Sequence, residues 1–227
     1  MGFTLDSVVP WGRSFEEYVR MFDLSAADLG KRILGCGDGP AAFNAALTAR
    51  GGRIVSADPV YAFSAAQIEG RIAVTYEKVM AQLCANEHDY LWTEFSGPEE
   101  LGATRMAAMK TFLADYEKGR AAGRYVAAAL PKLPFADGAY DLALVSHFLF
   151  LYAAQLDADF HIRSMIELLR VAKEVRVFPL LTLDGRSYPE MAAVRSGLEK
   201  VGVATLVRKV PYEFQKGGNE MLVLRRA

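Results

Sequence analysis

The stretch ILGCGDGPAAF, Ile33 to Phe43, decides how the rest of the chain is read. An apolar entry of strand character runs into Gly35, Gly37 and Gly39, and then into Pro40 and two alanines. A backbone so bare of side chains lets a ligand come close. The alanine-rich residues 40–50 read as a helix with proline at its first position, ended by Gly51 and Gly52. RIVSADP, residues 53–59, reads as a second strand stopped by Pro59. Strand, glycine turn, helix, strand is a βαβ unit, and its turn opens a helix N-terminus, where main-chain groups can cradle a nucleoside.

The spacing narrows the ligand. A dinucleotide fingerprint is GxGxxG/A, whose third small residue lets helix and strand pack closely. Five positions after Gly35 stands Pro40, which breaks the nicotinamide pattern. Asp58 supplies the complementary group. It ends the second strand, at the carboxyl edge where open α/β sheets bind ligands. A carboxylate there has oxygens for both hydroxyls of a ribose; the plainer reading is a turn-forming aspartate before Pro59.

Outward from this unit, Ser14 and Glu17 have capping-box spacing, and Phe15, Tyr18, Val19 and Phe22 mark one helix face. Residues 64–124 predict a helical insertion. Ser64 and Gln67 cap a stripe of Ile68, Ile72, Tyr76, Val79 and Leu83, and Ser96 and Glu99 cap a second of Met106, Met109, Leu113 and Tyr116. This pair either packs on the sheet or forms a lid. The α/β pattern resumes at RYVAAALPKLPF. An apolar strand in YDLALVSHFLFLY, a helix in IRSMIELLRVAK, a strand in EVRVFPLL and a helix from Pro189 to Gly202 follow. Two strand-like runs around Gly217-Gly218 end the chain as a hairpin. One domain over residues 1–227 is expected, with a mostly parallel sheet and an antiparallel end.

Composition bounds the function. The 227 residues are 52% hydrophobic and 23% charged, with a net charge of -1. Such balance leaves no footprint for broad nucleic-acid or anionic-membrane binding. No apolar run reaches membrane-spanning length, and MGFTLDSVVPWGR lacks a basic-then-apolar leader pattern. Two cysteines and three scattered histidines suggest neither a disulfide framework nor a metal site. A cytoplasmic protein is expected; its oligomeric state is not legible.

The chain resembles the class I S-adenosylmethionine-dependent methyltransferases, in their small-molecule branch. The residues that carry the resemblance are LGCGDG after strand one, Asp58 after strand two, and LPFADGAYDLALVSHFLF around strand four. It covers roughly residues 30–60 and 125–227. It implies a Rossmann-like class I methyltransferase sheet and S-adenosyl-L-methionine as cofactor. Gly35, Cys36 and Gly37 would approach the methionine portion, Asp58 and the adjoining Pro59 the ribose, and Leu130 the adenine. Ser146 and His147 would face the sulfonium. Arg13 and Tyr18 lie in a segment that often folds over the cofactor, toward its carboxylate. Two positions depart from the family's acidic anchors, Ile33 and Ala129. Asp38 either replaces the first or serves as a local helix cap.

Methyl transfer from a sulfonium asks mainly for alignment and exclusion of water. A base is needed only where the acceptor carries a proton. His147 is the candidate catalytic base, the other reading being a structural histidine. His161 reads as a surface group. Tyr61, Tyr90, Trp92 and Phe95 either line an acceptor pocket or belong to the core. The expected function is methyl transfer to a small molecule. The alternatives are a non-catalytic binding module that keeps the fold, motivated by Ile33 and Ala129, and a nicotinamide oxidoreductase, disfavoured by Pro40.

Overall fold

The structure is a computed structural model and describes residues 9–227. Seven strands form one sheet: β1 (Arg32–Cys36), β2 (Arg53–Ala57), β3 (Tyr125–Val126), β4 (Tyr140–Ser146), β5 (Ala172–Phe178), β6 (Val203–Lys209) and β7 (Glu220–Arg226). Their spatial order is β3-β2-β1-β4-β5-β7-β6. β1 to β5 are mutually parallel, and β7 runs against both β5 and β6. The mostly parallel sheet with a reversed terminal hairpin is therefore present.

β1, β4 and β5 are mostly buried because both faces of the sheet are covered, β5 carrying the buried Glu174 and Arg176 among its apolar residues. Among the described residues seven helices do much of the covering: α1 (Phe15–Met21), α2 (Ala26–Leu29), α3 (Phe43–Ala49), α4 (Ala65–Ala85), α5 (Pro98–Ala121), α6 (Ala158–Val171) and α7 (Met191–Glu199). Leu34, Ala143, Val145 and Val175 pack under Met165 and Leu168 of α6 and Val194 and Leu198 of α7. On the other face Ile33, Leu142 and Leu144 meet Tyr18 and Met21 of α1 and Phe43 and Leu47 of α3. Successive strand residues alternate between these two cores, as the pleat requires. Among the described residues, no helix is long and apolar enough to cross a membrane.

Helix starts follow local chemistry. The capping boxes at Ser14–Glu17 and Ser64–Gln67 are both formed. Three expectations need correction. The first helix of the βαβ unit begins at Phe43, not at residue 40; Pro40 stays in the turn, three residues before the helix. The cap of α5 is Gly97 rather than Ser96, because Pro98 takes the first helical position; the Ser96 N–H instead donates to Glu100 Oε2 at 2.6 Å. The buried face of α5 is Leu101, Arg105, Ala108, Met109, Phe112 and Tyr116, so Phe112 and a charged residue belong to a stripe read as Met106, Met109, Leu113 and Tyr116.

Candidate active site

The register at the top of the sheet assembles the site. Cys36 is paired with Ala57 on one side and with Val145 on the other. The next residue of each strand therefore brings Gly37, Asp58 and Ser146 side by side. This is the topological switch point, since the chain passes outward from β1 to β2 and β3 and then returns to β4 on the opposite side. A cavity of about 630 Å³ opens here. Cys36, Gly37, Asp58, Pro59, Leu130, Ser146 and His147 all line it. Gly35 does not: a Cβ on it would fall 1.8 Å from Asp38 Oδ2, so this glycine makes room for a side chain of its own turn rather than for a ligand.

The turn is held open by two aspartates. Asp38 is buried at 8% exposure. Its Oδ1 accepts from the Tyr18 hydroxyl at 2.9 Å and its Oδ2 from the Ser56 hydroxyl at 2.6 Å. Asn44 Nδ2 donates in turn to Ser56 Oγ at 3.0 Å. Asp38 is thus a buried tie between α1, β1 and β2, and the helix-cap reading is corrected. Burial raises its pKa to about 6 against the pull of those two donors, with Asp58 adding to the rise. Asp58 Oδ2 accepts from Gly39 N–H at 2.9 Å and Oδ1 from Val60 N–H at 2.8 Å. It is therefore a turn-former at the start of the 3₁₀ turn Pro59–Ala62, yet a carboxylate offers about four lone-pair sites and only two are used. Tyr61 closes the same loop by donating to Gly39 O at 2.8 Å. Gly37 and Gly39 have φ of +71° and +53°, a left-handed backbone natural to glycine. A Cβ on Gly39 would meet no atom within 4 Å, which leaves a main-chain cradle facing the cavity.

His147 leaves β4 at φ +52°, a costly conformation for a residue with a Cβ. Its N–H is held by Phe178 O at 2.7 Å, and its Nδ1 lies 2.9 Å from Ser146 Oγ. Burial, then the guanidiniums of Arg13 and Arg105, hold its pKa well below the ordinary histidine value. The neutral ring is thereby favoured over the imidazolium.

Beyond His147 the walls turn aromatic: Trp11, Tyr90, Tyr152, Phe178, Tyr212 and Phe214. Of the four aromatics singled out in the insertion and just before it, only Tyr90 lines the cavity, stacked on Phe214 with centroids 4.7 Å apart. Trp92 and Phe95 pack edge-on to Phe214 from behind. Ile68, Val79 and Leu83 of α4 complete this wall. His161 lies elsewhere and is fully buried, correcting its surface assignment: it stacks on Phe150 with centroids 5.1 Å apart, and its two nitrogens face the carbonyls of Asp157 and Leu149. Sequence reasoning missed Trp11, Tyr152, Tyr212 and Phe214, which come from segments without periodicity. It also missed Arg105, although an arginine in phase with Leu101, Met109 and Phe112 is a legible signal.

The sheet order and this cavity define a Rossmann-like fold of the class I methyltransferase type. The chain belongs to the family of the uncharacterized protein MJ0045 of Methanocaldococcus jannaschii, to which it is 35% identical over 223 residues, 98% of either chain. No protein-family model matches it. Among solved structures it is similar to WbdD, with a TM-score of 0.49, 13% identity and coverage of 93% of this chain and 40% of that one. It is also similar to magnesium protoporphyrin IX methyltransferase of Synechocystis PCC 6803, solved with bound SAM (TM-score 0.47, 13% identity, 94% and 78% covered). A third is a SAM-dependent methyltransferase of Aquifex aeolicus (TM-score 0.41, 15% identity, 92% and 90% covered). Likenesses at this level decide nothing about chemistry, which rests on the site itself.

Proposed function

We propose that the protein transfers a methyl group from S-adenosyl-L-methionine to a small-molecule acceptor. The observation that carries this reading is the meeting of the Gly37–Gly39 cradle, Asp58 and His147 on one cavity at the switch point of the sheet. The residues present fit the cofactor. The open backbone at Gly39 suits its methionine portion, the two unused lone-pair sites of Asp58 suit the ribose hydroxyls, and Leu130 supplies an apolar surface for the adenine. When bound, the cofactor supplies an electrophilic methyl on a positively charged sulfur.

The chain's own contribution is position, dryness and a base. The aromatic walls exclude water from the acceptor side. In the His147 tautomer whose Nδ1–H donates to Ser146 Oγ, Nε2 is the atom that takes a proton. Nε2 would take the proton of an acceptor O–H or N–H held against it, freeing the lone pair that receives the methyl group.

Calorimetric titration with S-adenosylhomocysteine and NADH tests the reading. S-adenosylhomocysteine should bind and NADH should not. The reverse preference, or silence with both at millimolar ligand, overturns it.

A further inference from the structure

The aromatic half of the cavity holds an unbalanced charge. Arg13 and Arg105 lie close enough to His147 for both guanidiniums to disfavour its protonation. One carboxylate, Glu17, answers them, and its oxygens are taken. Oε2 accepts from Ser14 N–H at 3.0 Å and from Arg105 Nη1, and Oε1 accepts from the Tyr212 hydroxyl at 2.9 Å. Arg13 donates through Nη1 to the Trp11 carbonyl at 3.0 Å, while its buried Nε has no partner. Among the described residues no carboxylate lies within ion-pair reach of it. Two hydroxyls beside it are already committed: Tyr18 donates to Asp38 and Tyr212 to Glu17. Burial and then Arg105 depress the pKa of Arg13 to about 10, with the Glu17 carboxylate, shared with Arg105, opposing them.

We propose that this half of the cavity takes a planar aromatic anion as methyl acceptor, with its anionic group on the Arg13 guanidinium. The inference rests on the methyl-transfer reading and names its substrate class. The guanidinium presents a fork matched to a carboxylate, and Trp11, Tyr90, Tyr152 and Phe214 offer ring faces and edges to a flat body. A cationic acceptor would meet Arg13 and the sulfonium as two like charges; an anionic one is attracted by both. Asp38 and Asp58 stand by the glycine turn, at the cofactor's end, so an anion is favoured at the arginine end and disfavoured at the other.

Three probes of one shape decide it: 4-hydroxybenzoate, its neutral methyl ester, and the cation tyramine, each titrated with and without saturating S-adenosylhomocysteine. The acid should bind at least about tenfold more tightly than ester or amine, the size of one charge-assisted contact. Arg13→Gln should abolish that preference, and Arg13→Lys should keep part of it. Both variants should bind S-adenosylhomocysteine and 5′-methylthioadenosine within about twofold of the wild type. Equal binding of acid and ester by the wild type, or no aromatic binding at millimolar probe, overturns the inference, and neither result needs a variant to fold. If Arg13→Gln weakens S-adenosylhomocysteine but spares 5′-methylthioadenosine, Arg13 serves the cofactor's carboxylate and the inference is again overturned. Failure of S-adenosylhomocysteine to bind while the acid preference persists sinks the methyl-transfer reading instead.

Discussion

The carboxylate of Asp38 folds over Gly35 so closely that a Cβ there would fall 1.8 Å from Oδ2. The glycine and the aspartate are one unit, three residues apart on a tight turn. Gly35→Ala should therefore destabilise the fold by about 2–4 kcal/mol, as overpacking and lost hydrogen bonds combine. In an Asp38→Ala background the same change should cost at least about 1 kcal/mol less, because the obstacle has gone. Urea unfolding of the four proteins measures this coupling, and strict additivity would dissociate the pair.

Asp38 also sets a pH dependence. Its pKa is raised on folding from an ordinary 3.8 to about 6, so between these values the folded state holds more protons than the unfolded one. Stability from this group is highest below pH 4 and falls as pH rises to 6, by about 3 kcal/mol in all. Asp38→Asn does not titrate. Its stability relative to wild type should improve by about 2–3 kcal/mol from pH 4 to pH 7. A pH-independent difference would show that Asp38 is not strained by its charge.

Glu17 and Arg105 form a pair that is almost fully buried, with side chains 1% and 2% exposed. Arg105 attraction and hydrogen bonding lower the Glu17 pKa to about 2 against desolvation. Replacing one partner strands the other charge: Arg105→Met should cost about 3–5 kcal/mol and lower Tm by roughly 6–20 °C at this chain length. The double variant Glu17→Met/Arg105→Met should be more stable than Arg105→Met alone. Differential scanning calorimetry distinguishes this from simple loss of packing, for which the double variant would be the worse.

Asp58→Ala should reduce affinity for S-adenosylhomocysteine by about 10- to 150-fold, the loss of charge-assisted hydrogen bonds to ribose. It should also lower stability by about 1–2 kcal/mol, since the carboxylate holds the N–H groups of Gly39 and Val60. The turn-forming reading of the sequence and the ribose-binding one thus apply to the same carboxylate. Undiminished binding, measured by calorimetry at a temperature where the variant is folded, would remove Asp58 from the site.

His147→Ala should bind S-adenosylhomocysteine normally while transfer falls about 10²–10⁴-fold. His147→Gly should be equally inactive yet more stable than the alanine variant by about 1 kcal/mol, because glycine accepts the positive φ without strain. Single-turnover rates and unfolding curves of the two variants read the roles separately. Transfer that survives both substitutions leaves catalysis to alignment alone.

Much of the fold was written locally. The βαβ unit at Ile33 to Asp58, the boxes at Ser14 and Ser64, the apolar strand ending at Ser146 and the hairpin around Gly217 depend on turn chemistry and on periodicities of two and 3.6, which neighbours in sequence specify. The clustering of Gly37, Asp58 and Ser146 followed as well, because parallel strands end on one edge. Tertiary structure alone decided the rest. Gly35 serves Asp38, Asp38 joins Tyr18 to Ser56, and Arg105 reaches Glu17 across 88 residues. Trp11, Tyr152, Tyr212 and Phe214 converge from two separate loops and a 3₁₀ turn. A buried polar group or an aromatic wall is satisfied by whatever the fold brings near it. Such partners have no fixed separation along the chain, so no local pattern announces them.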